Sequence, residues 1–297
     1  MKVSCHVEDL LYGSQTVGRA VSSKNTLPIL SGIMMQAQGN DLILRATDLE
    51  MAIECHIPAM VQEEGAVVIP GKNFLDLIRC FDEGDVDLTS EQDSFDLSIS
   101  FGASNTKFRG MDVLEFPALP PVSGEISGSI AAPIFRDLVK QIAFAAATDE
   151  VRPVFSGVLM DITEDRFVMV ATDTHRLAKT EGSWQTDGEK DSNAKVIIPA
   201  RTMMELARLA NDDNEKVQMK IGKNQIIFQI GSIVFVSRLI NGQYPPYRDV
   251  IPKDSAFHSF AKIDTKRFRQ EMERASVFAR SGNNLVKFIF SENSLQI

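Results

Sequence analysis

The sequence predicts an α+β protein made of repeated domains, each with two helices packed on antiparallel sheet. Three features of the 297-residue chain predict it: a match of the chain to itself at a nearly constant offset, one recurring order of strand and helix patterns, and proline-rich stretches between the copies.

Residues 28–54 (PILSGIMMQAQGNDLILRATDLEMAIE) align without a gap on residues 153–179 (PVFSGVLMDITEDRFVMVATDTHRLAK). Pro28 pairs with Pro153, Gly32 with Gly157 and Ala46-Thr47-Asp48 with Ala171-Thr172-Asp173, an offset of 125. A second block, 67–80 (VVIPGKNFLDLIRC), falls on 196–209 (VIIPARTMMELARL) at an offset of 129. Two long blocks in the same order mean a duplicated domain of ordinary size. Residues 284–297 (NLVKFIFSENSLQI) fall on 157–170 at an offset of 127, so a third copy begins, without a counterpart of the Ala-Thr-Asp strand.

Within each full copy, a short alternating strand leads to an amphipathic helix over 7–22 or 132–146, followed by alternating strands. A second helix is expected over 71–81 or 200–210, with Pro70 or Pro199 in its first turn, where a missing N–H is harmless. Further strands complete the copy. The third copy offers one helix over 264–280 and a hairpin turning at Ser291-Glu292-Asn293-Ser294. Two extended segments, Glu115-Phe116-Pro117-Ala118-Leu119-Pro120-Pro121 and Gln243-Tyr244-Pro245-Pro246-Tyr247, read as linkers. The expected domains are 1–122, 123–249 and a partial 250–297.

With 44% apolar and 24% charged residues the chain reads as globular. Its N-terminus alternates and meets Glu8 and Asp9 at once, leaving no apolar signal core, and no window is long and apolar enough for a membrane helix. A cytoplasmic protein is expected. Cys5, Cys55 and Cys80 are odd in number and widely spaced, which argues against a disulfide framework or a CxxC site.

The formal charge of −9 counts against nucleic acid only if it is evenly spread. It is not: Lys72 and Arg79 on one expected helix, and Arg201 and Arg208 on its counterpart, lie seven apart and so on one helical face. Arg136 and Lys140 stand four apart on another helix, and Lys266, Arg267, Arg269, Arg274 and Arg280 crowd the last. Any single pair is ordinary solvated surface, but recurrence at equivalent positions suits a duplex on one face. No base-reading motif is present, so contacts to phosphate are expected.

Catalytic and metal chemistry finds little support. Asp173-Thr174-His175 invites an acid–base reading, yet the other copy has Asp48-Leu49-Glu50, so the acid repeats and the histidine does not. Cys5-His6 and Cys55-His56 are neighbours on strands and point to opposite faces, a poor geometry for one ion. Gly71-Lys72 lacks the earlier glycine of a phosphate loop, and 82–87 (DEGDVD) lacks the ligand order of a calcium loop and reads as a solvated turn. No catalytic residue, metal or cofactor is expected.

The chain resembles the bacterial β sliding clamps through Thr26-Leu27-Pro28-Ile29-Leu30, Ala46-Thr47-Asp48, Val68-Ile69-Pro70, Phe116-Pro117, Arg152-Pro153, 171–178 (ATDTHRLA), Ile198-Pro199 and Tyr244-Pro245. The resemblance implies three clamp domains per subunit in a head-to-tail homodimeric ring, with helices lining the hole and sheets outside. It implies a non-catalytic subunit that encircles duplex DNA and confers processivity on DNA polymerase III. It implies DNA contacts at Lys24, Lys72, Arg152 and Arg201. A pocket for peptides of the polymerase α subunit, the clamp loader, other polymerases and repair proteins is implied at Leu159, Thr172, Thr174, His175, Arg176, Leu177, Pro245 and Val250, with Asp249 where some members carry a base. The ring interface would use Phe108 on one side and Val277 and Phe278 on the other. With its third copy partial, this chain is expected to be a monomer or weak associate. Two rivals remain: an enzyme using Asp173 and His175, and a scaffold that never meets DNA.

Overall fold

The computed structural model describes residues 1–22, 27–90, 95–118, 126–149, 151–186, 193–211, 215–280, 285–292 and 294–297. The chain forms two compact units, Met1–Pro245 and Pro246–Ile297.

In the first unit, the first copy runs β1 (Lys2–His6), α1 (Val7–Val17), β2 (Gly32–Gln38), β3 (Asp41–Thr47), β4 (Met51–Pro58), β5 (Met60–Glu63), β6 (Gly65–Pro70), α2 (Gly71–Ile78), β7 (Asp85–Ser90), β8 (Leu97–Phe101) and β9 (Ser104–Phe108). The second copy repeats this order: β10 (Ile126–Ala131), α3 (Ala132–Ile142), β11 (Gly157–Thr163), β12 (Arg166–Thr172), β13 (Leu177–Ser183), β14 (Gln185–Thr186), β15 (Asn193–Pro199), α4 (Ala200–Leu209), β16 (Lys216–Ile221), β17 (Gln225–Ile230) and β18 (Ile233–Arg238).

Alternation makes the strands: β16 (KVQMKI) is exposed and buried by turns, which drives Val217, Met219 and Ile221 into the core. Helical spacing makes the helices: Phe135, Leu138, Val139 and Ile142 form the buried face of α3, and Met203, Leu206 and Ala207 that of α4. Pro70 and Pro199 sit one position earlier than expected, at the N-caps, where they end β6 and β15 as the helices begin. The first helix of each copy is shorter than its pattern and finishes in a 3-10 turn, at 18–20 and 143–145. Residues 82–87 are not wholly a turn either: β7 starts at Asp85, because Val86 is fully buried and needs its strand partner Cys5 on β1.

All sheet pairings are antiparallel, in the orders β5-β1-β7-β8-β9, β14-β10-β16-β17-β18-β4-β3-β2-β6 and β13-β12-β11-β15. The nine-stranded sheet joins five strands of the second copy to four of the first. Its seam is β18 against β4, with Ile233 opposite Cys55, Phe235 opposite Ile53 and Ser237 opposite Met51. The expected boundary at residue 122 therefore separates two copies in sequence while a sheet and a common apolar core, from Val3 to Phe235, run through both. The repeated glycine has a packing reason. A Cβ on Gly32 would lie 2.5 Å from Val68 Cγ1, and one on Gly157 would lie 2.4 Å from Ile197 Cγ2. The linker segment is anchored by Phe116, which packs with Ile29, Leu30 and Val68.

The second unit carries α5 (Thr265–Ala279), capped by the Asp264 carboxylate, which accepts from Arg267 N at 2.8 Å, and a hairpin of β19 (Ile289–Ser291) and β20 (Ser294–Gln296). Phe288 lies between Phe268 and Phe290, at centroid distances of 6.0 and 6.4 Å.

Candidate nucleic-acid and partner interface

The repeated Ala-Thr-Asp motif builds a turn. Thr47 Oγ1 donates to Met51 O at 2.9 Å and accepts from Leu49 N at 3.0 Å; Thr172 Oγ1 donates to Arg176 O at 2.7 Å and accepts from Thr174 N at 3.1 Å. Each aspartate then accepts from the next two backbone donors: Asp48 from Glu50 N and Met51 N, Asp173 from His175 N and Arg176 N, all at 2.9–3.0 Å. The turn puts Leu49 and Thr174 in the left-handed region, at φ 74° and 80°. The backbone hydrogen bond from Arg176 comes first among the causes that hold the Asp173 carboxyl below its ordinary range, supported by His175 N and the Arg176 guanidinium. Asp173 thus spends its oxygens on the turn, a sufficient reason for it to recur without His175.

Around that turn stand Leu159, Thr172, Thr174, His175, Arg176 and Leu177 of the expected peptide-site residues. Leu159 on β11 is buried opposite Val170 of β12, Thr172 pairs with Leu177 of β13, and Thr174, His175 and Arg176 stand exposed between. Tyr244 donates to Val170 O at 3.3 Å and sets its ring edge-on to Phe155, which brings the Tyr244-Pro245 segment to the same strands. Burial pushes the Tyr244 hydroxyl up to about 12, so it keeps its proton. Val250 belongs to the second unit and is 69% exposed. No repeat, spacing or motif marks Phe144, whose exposed ring lies 5.5 Å from the Arg176 guanidinium. In the first copy the equivalent turn lines a cavity of about 200 Å³ with Pro117, Val236 and Arg238.

Of the expected DNA contacts, Lys24 lies outside the described residues. Lys72 is exposed in the first turn of α2. Arg152 is exposed and stands over the Phe155 ring at 4.9 Å. Arg201, in the first turn of α4, is 58% exposed but reaches the first copy, pairing with the nearly buried Asp48 carboxylate at 3.0 Å. Phe108 ends β9, half-buried and edge-on to Phe74 at 6.2 Å. Val277 and Phe278 are 62% and 81% exposed on α5.

Neighbouring cysteine and histidine do face apart: Cys5 and Cys55 are buried, while His6 pairs with Asp85 and His56 with Glu54. Burial raises the Cys5 thiol to about 12 and the Cys55 thiol to about 11. Among the described residues no three His, Cys, Asp or Glu side chains group as a metal site. No helix among them is long and apolar enough to cross a membrane.

Tandem α+β copies fused through one sheet, with two helices each and basic residues recurring on those helices, define the class of repeat-built clamp subunits. Residues 1–120 match the N-terminal domain of the DNA polymerase III β subunit, and residues 129–246 match its central domain. The β sliding clamp of Staphylococcus aureus is 33% identical over 288 residues, 94% of this chain and 75% of that protein; that of Staphylococcus epidermidis is 34% identical over 285 residues, 93% and 74%. The crystal structure of the Bacillus subtilis DNA polymerase sliding clamp superposes with a TM-score of 0.89 at 28% identity, covering 99% of this chain and 79% of that one. A Pseudomonas aeruginosa sliding clamp bound to griselimycin gives 0.84 at 27% identity, covering 93% and 74%. The chain belongs to the β sliding clamp family, the β subunits of DNA polymerase III.

Proposed function

We propose that this chain is a non-catalytic processivity subunit: it encircles duplex DNA through sequence-independent phosphate contacts and tethers the polymerase and clamp loader through a peptide pocket. The observation that carries the proposal is the match to β sliding clamps across 94% of the chain, on a structure whose repeat-equivalent helices present the recurring bases. The mechanism is topological. A ring that holds DNA by enclosure needs only weak contacts, and tethering then raises the effective concentration of the polymerase at the primer end. Lys24, Lys72, Arg152 and Arg201 are the proposed phosphate contacts.

The pocket is assigned to Leu159, Thr172, Thr174, His175, Arg176, Leu177, Pro245 and Val250. The griselimycin-bound relative supports a ligand site on this fold. Ring closure is assigned to Phe108 on one subunit with Val277 and Phe278 on the next. A bacterial cytoplasmic location follows from the substrate, chromosomal DNA.

Association of the chain with two duplexes of unrelated sequence, measured between 50 and 200 mM salt, tests the reading. With four phosphate contacts the affinity falls roughly 100-fold over that range, equally for both sequences. Replacing Lys72 and Arg152 together by glutamine flattens the log–log slope by about 2. A salt-insensitive or sequence-dependent affinity would remove DNA enclosure as the function.

A further inference from the structure

The helix-side surface holds a groove of about 430 Å³ between α1 and α4, lined by Tyr12, Gln15, Thr16, Arg19, Arg208, Leu209, Asn211 and Glu215. It sits where the two copies meet. Two arginines beside an open groove look like another phosphate site, and Arg208 is the repeat counterpart of Arg79. The Glu205 carboxylate opposes that reading. Its Oε2 accepts from Arg19 at 2.9 Å, across 186 residues of sequence, and its Oε1 accepts from Arg208 one helical turn away. The Glu205 side chain is only 16% exposed, against 35% for Arg19 and 60% for Arg208, so the carboxylate is the fixed partner and the guanidiniums close over it.

We propose that Glu205 is a positioning residue that withholds Arg19 and Arg208 from DNA phosphate: Arg19 clasps the first copy to α4, Arg208 is held on its own helix, and neither grips the duplex. This rests on the reading of the chain as a DNA clamp. Phosphate binding by cations is driven by the counterions they release. With Glu205 and Glu215 beside two arginines the groove is formally neutral. Little is left to release, and a phosphate must first break an existing pair. A sliding ring benefits from such restraint, because each added phosphate grip slows movement along the duplex.

The test compares the salt dependence of duplex binding for the 297-residue chain and its variants, with thermal midpoints recorded alongside. Glu205→Gln keeps the side-chain shape and removes the charge. Freeing both arginines steepens the log–log slope by about 0.9 each, which between 50 and 200 mM salt is a gain of about 12-fold in salt sensitivity. Adding Arg208→Gln to Glu205→Gln removes about 0.9 of the added slope and leaves a gain of about 3.5-fold. With Glu205 intact, Arg19→Gln and Arg208→Gln leave the slope unchanged. The proposal is overturned if Glu205→Gln lowers the thermal midpoint and leaves the slope alone, for then the pair is structural only. It is equally overturned if either arginine variant flattens the slope while Glu205 is present. If the unsubstituted chain shows no salt-dependent binding and Lys72→Gln with Arg152→Gln changes nothing, the clamp reading itself falls and takes this inference with it.

Discussion

Phe235→Ala tests whether the seam between the copies transmits stability. Phe235 is fully buried in the middle of β18, directly opposite the equally buried Ile53 of β4, so its ring belongs to the cores of both copies. Truncating a buried phenylalanine costs about 3–5 kcal/mol, from lost burial and from the cavity left behind. With a urea dependence of about 3 kcal/mol per M, suited to a large unit, the midpoint falls by about 1–1.7 M. The chain provides a reporter for each copy. Trp184, the single tryptophan, is buried in the second copy, and the Cys5 and Cys55 thiols are buried in the first. Tryptophan fluorescence and pulsed thiol labelling across a urea titration therefore follow the two copies separately. The expected result is one shared transition in the unsubstituted protein and an equal shift of both probes in the variant. If Trp184 reported early unfolding while Cys5 and Cys55 stayed protected, the continuous sheet would not be a cooperative link.

Three further outcomes are expected. In the folded protein at pH 8 a thiol reagent modifies one cysteine, Cys80, because the other two are buried with thiols raised to about 12 and 11; denaturation releases all three, and rapid reaction of more than one would contradict the burial. Burial pushes the Glu54 carboxyl up, but hydrogen bonds from His56 and Arg45 more than reverse this and leave it below its ordinary value. Its contribution is then present above the unfolded carboxylate value and lost as pH falls through the lower folded one. Glu54→Gln should cost about 1 kcal/mol at pH 7 and progressively less as pH falls below the ordinary carboxylate range, as read by denaturant midpoints across a pH series. Leu177→Asp should weaken binding of an apolar polymerase-derived peptide at least 10-fold by placing a charge among apolar anchors, and unchanged affinity by fluorescence anisotropy would move the site elsewhere.

Much of this architecture is legible in the sequence because it occurs twice. The offset of 125 matches strands of one copy to strands of the other, and the i, i+3, i+4 spacing of Phe135, Leu138 and Val139 marks a buried helix face. What alternation cannot supply is a neighbour. Phe235 and Ile53 are 182 positions apart, and nothing in either strand identifies the other. The Ala-Thr-Asp motif was visible as a repeat, but its chemistry lies in backbone hydrogen bonds two and four residues onward, which side-chain pattern does not reveal. Charge patterning likewise found Arg201 and Arg208 on one face. It does not show that Asp48 and Glu205 pair with them, because one carboxylate comes from the other copy and Glu205 also collects Arg19 from the 3-10 turn after α1.

The seam also bears on how a ring would close. β18 ends the five-strand half of the second copy, and its open edge is covered by β4, which ends the four-strand half of the first. The repeat assigns counterparts to both: β9 is the first copy's β18, and β13 is the second copy's β4. Each of these ends its sheet among the described residues. A strand edge with unpaired N–H and C=O groups invites another strand, and here the molecule contains its own example of the strand that fits. A β4-like strand of another copy would meet β9, and a β9-like strand would meet β13, the same pairing in the same direction at every seam. Such a contact is heterologous, and it closes on itself only when the rotation between copies divides the circle evenly. Under the proposed ring closure, Phe108, at the end of β9, would lie at such a seam. The internal seam replaces its counterpart with Ser237, a residue fully buried by the strands that cover it. A junction between subunits can use an aromatic side chain at that place, because its apolar area adds burial to the strand pairing.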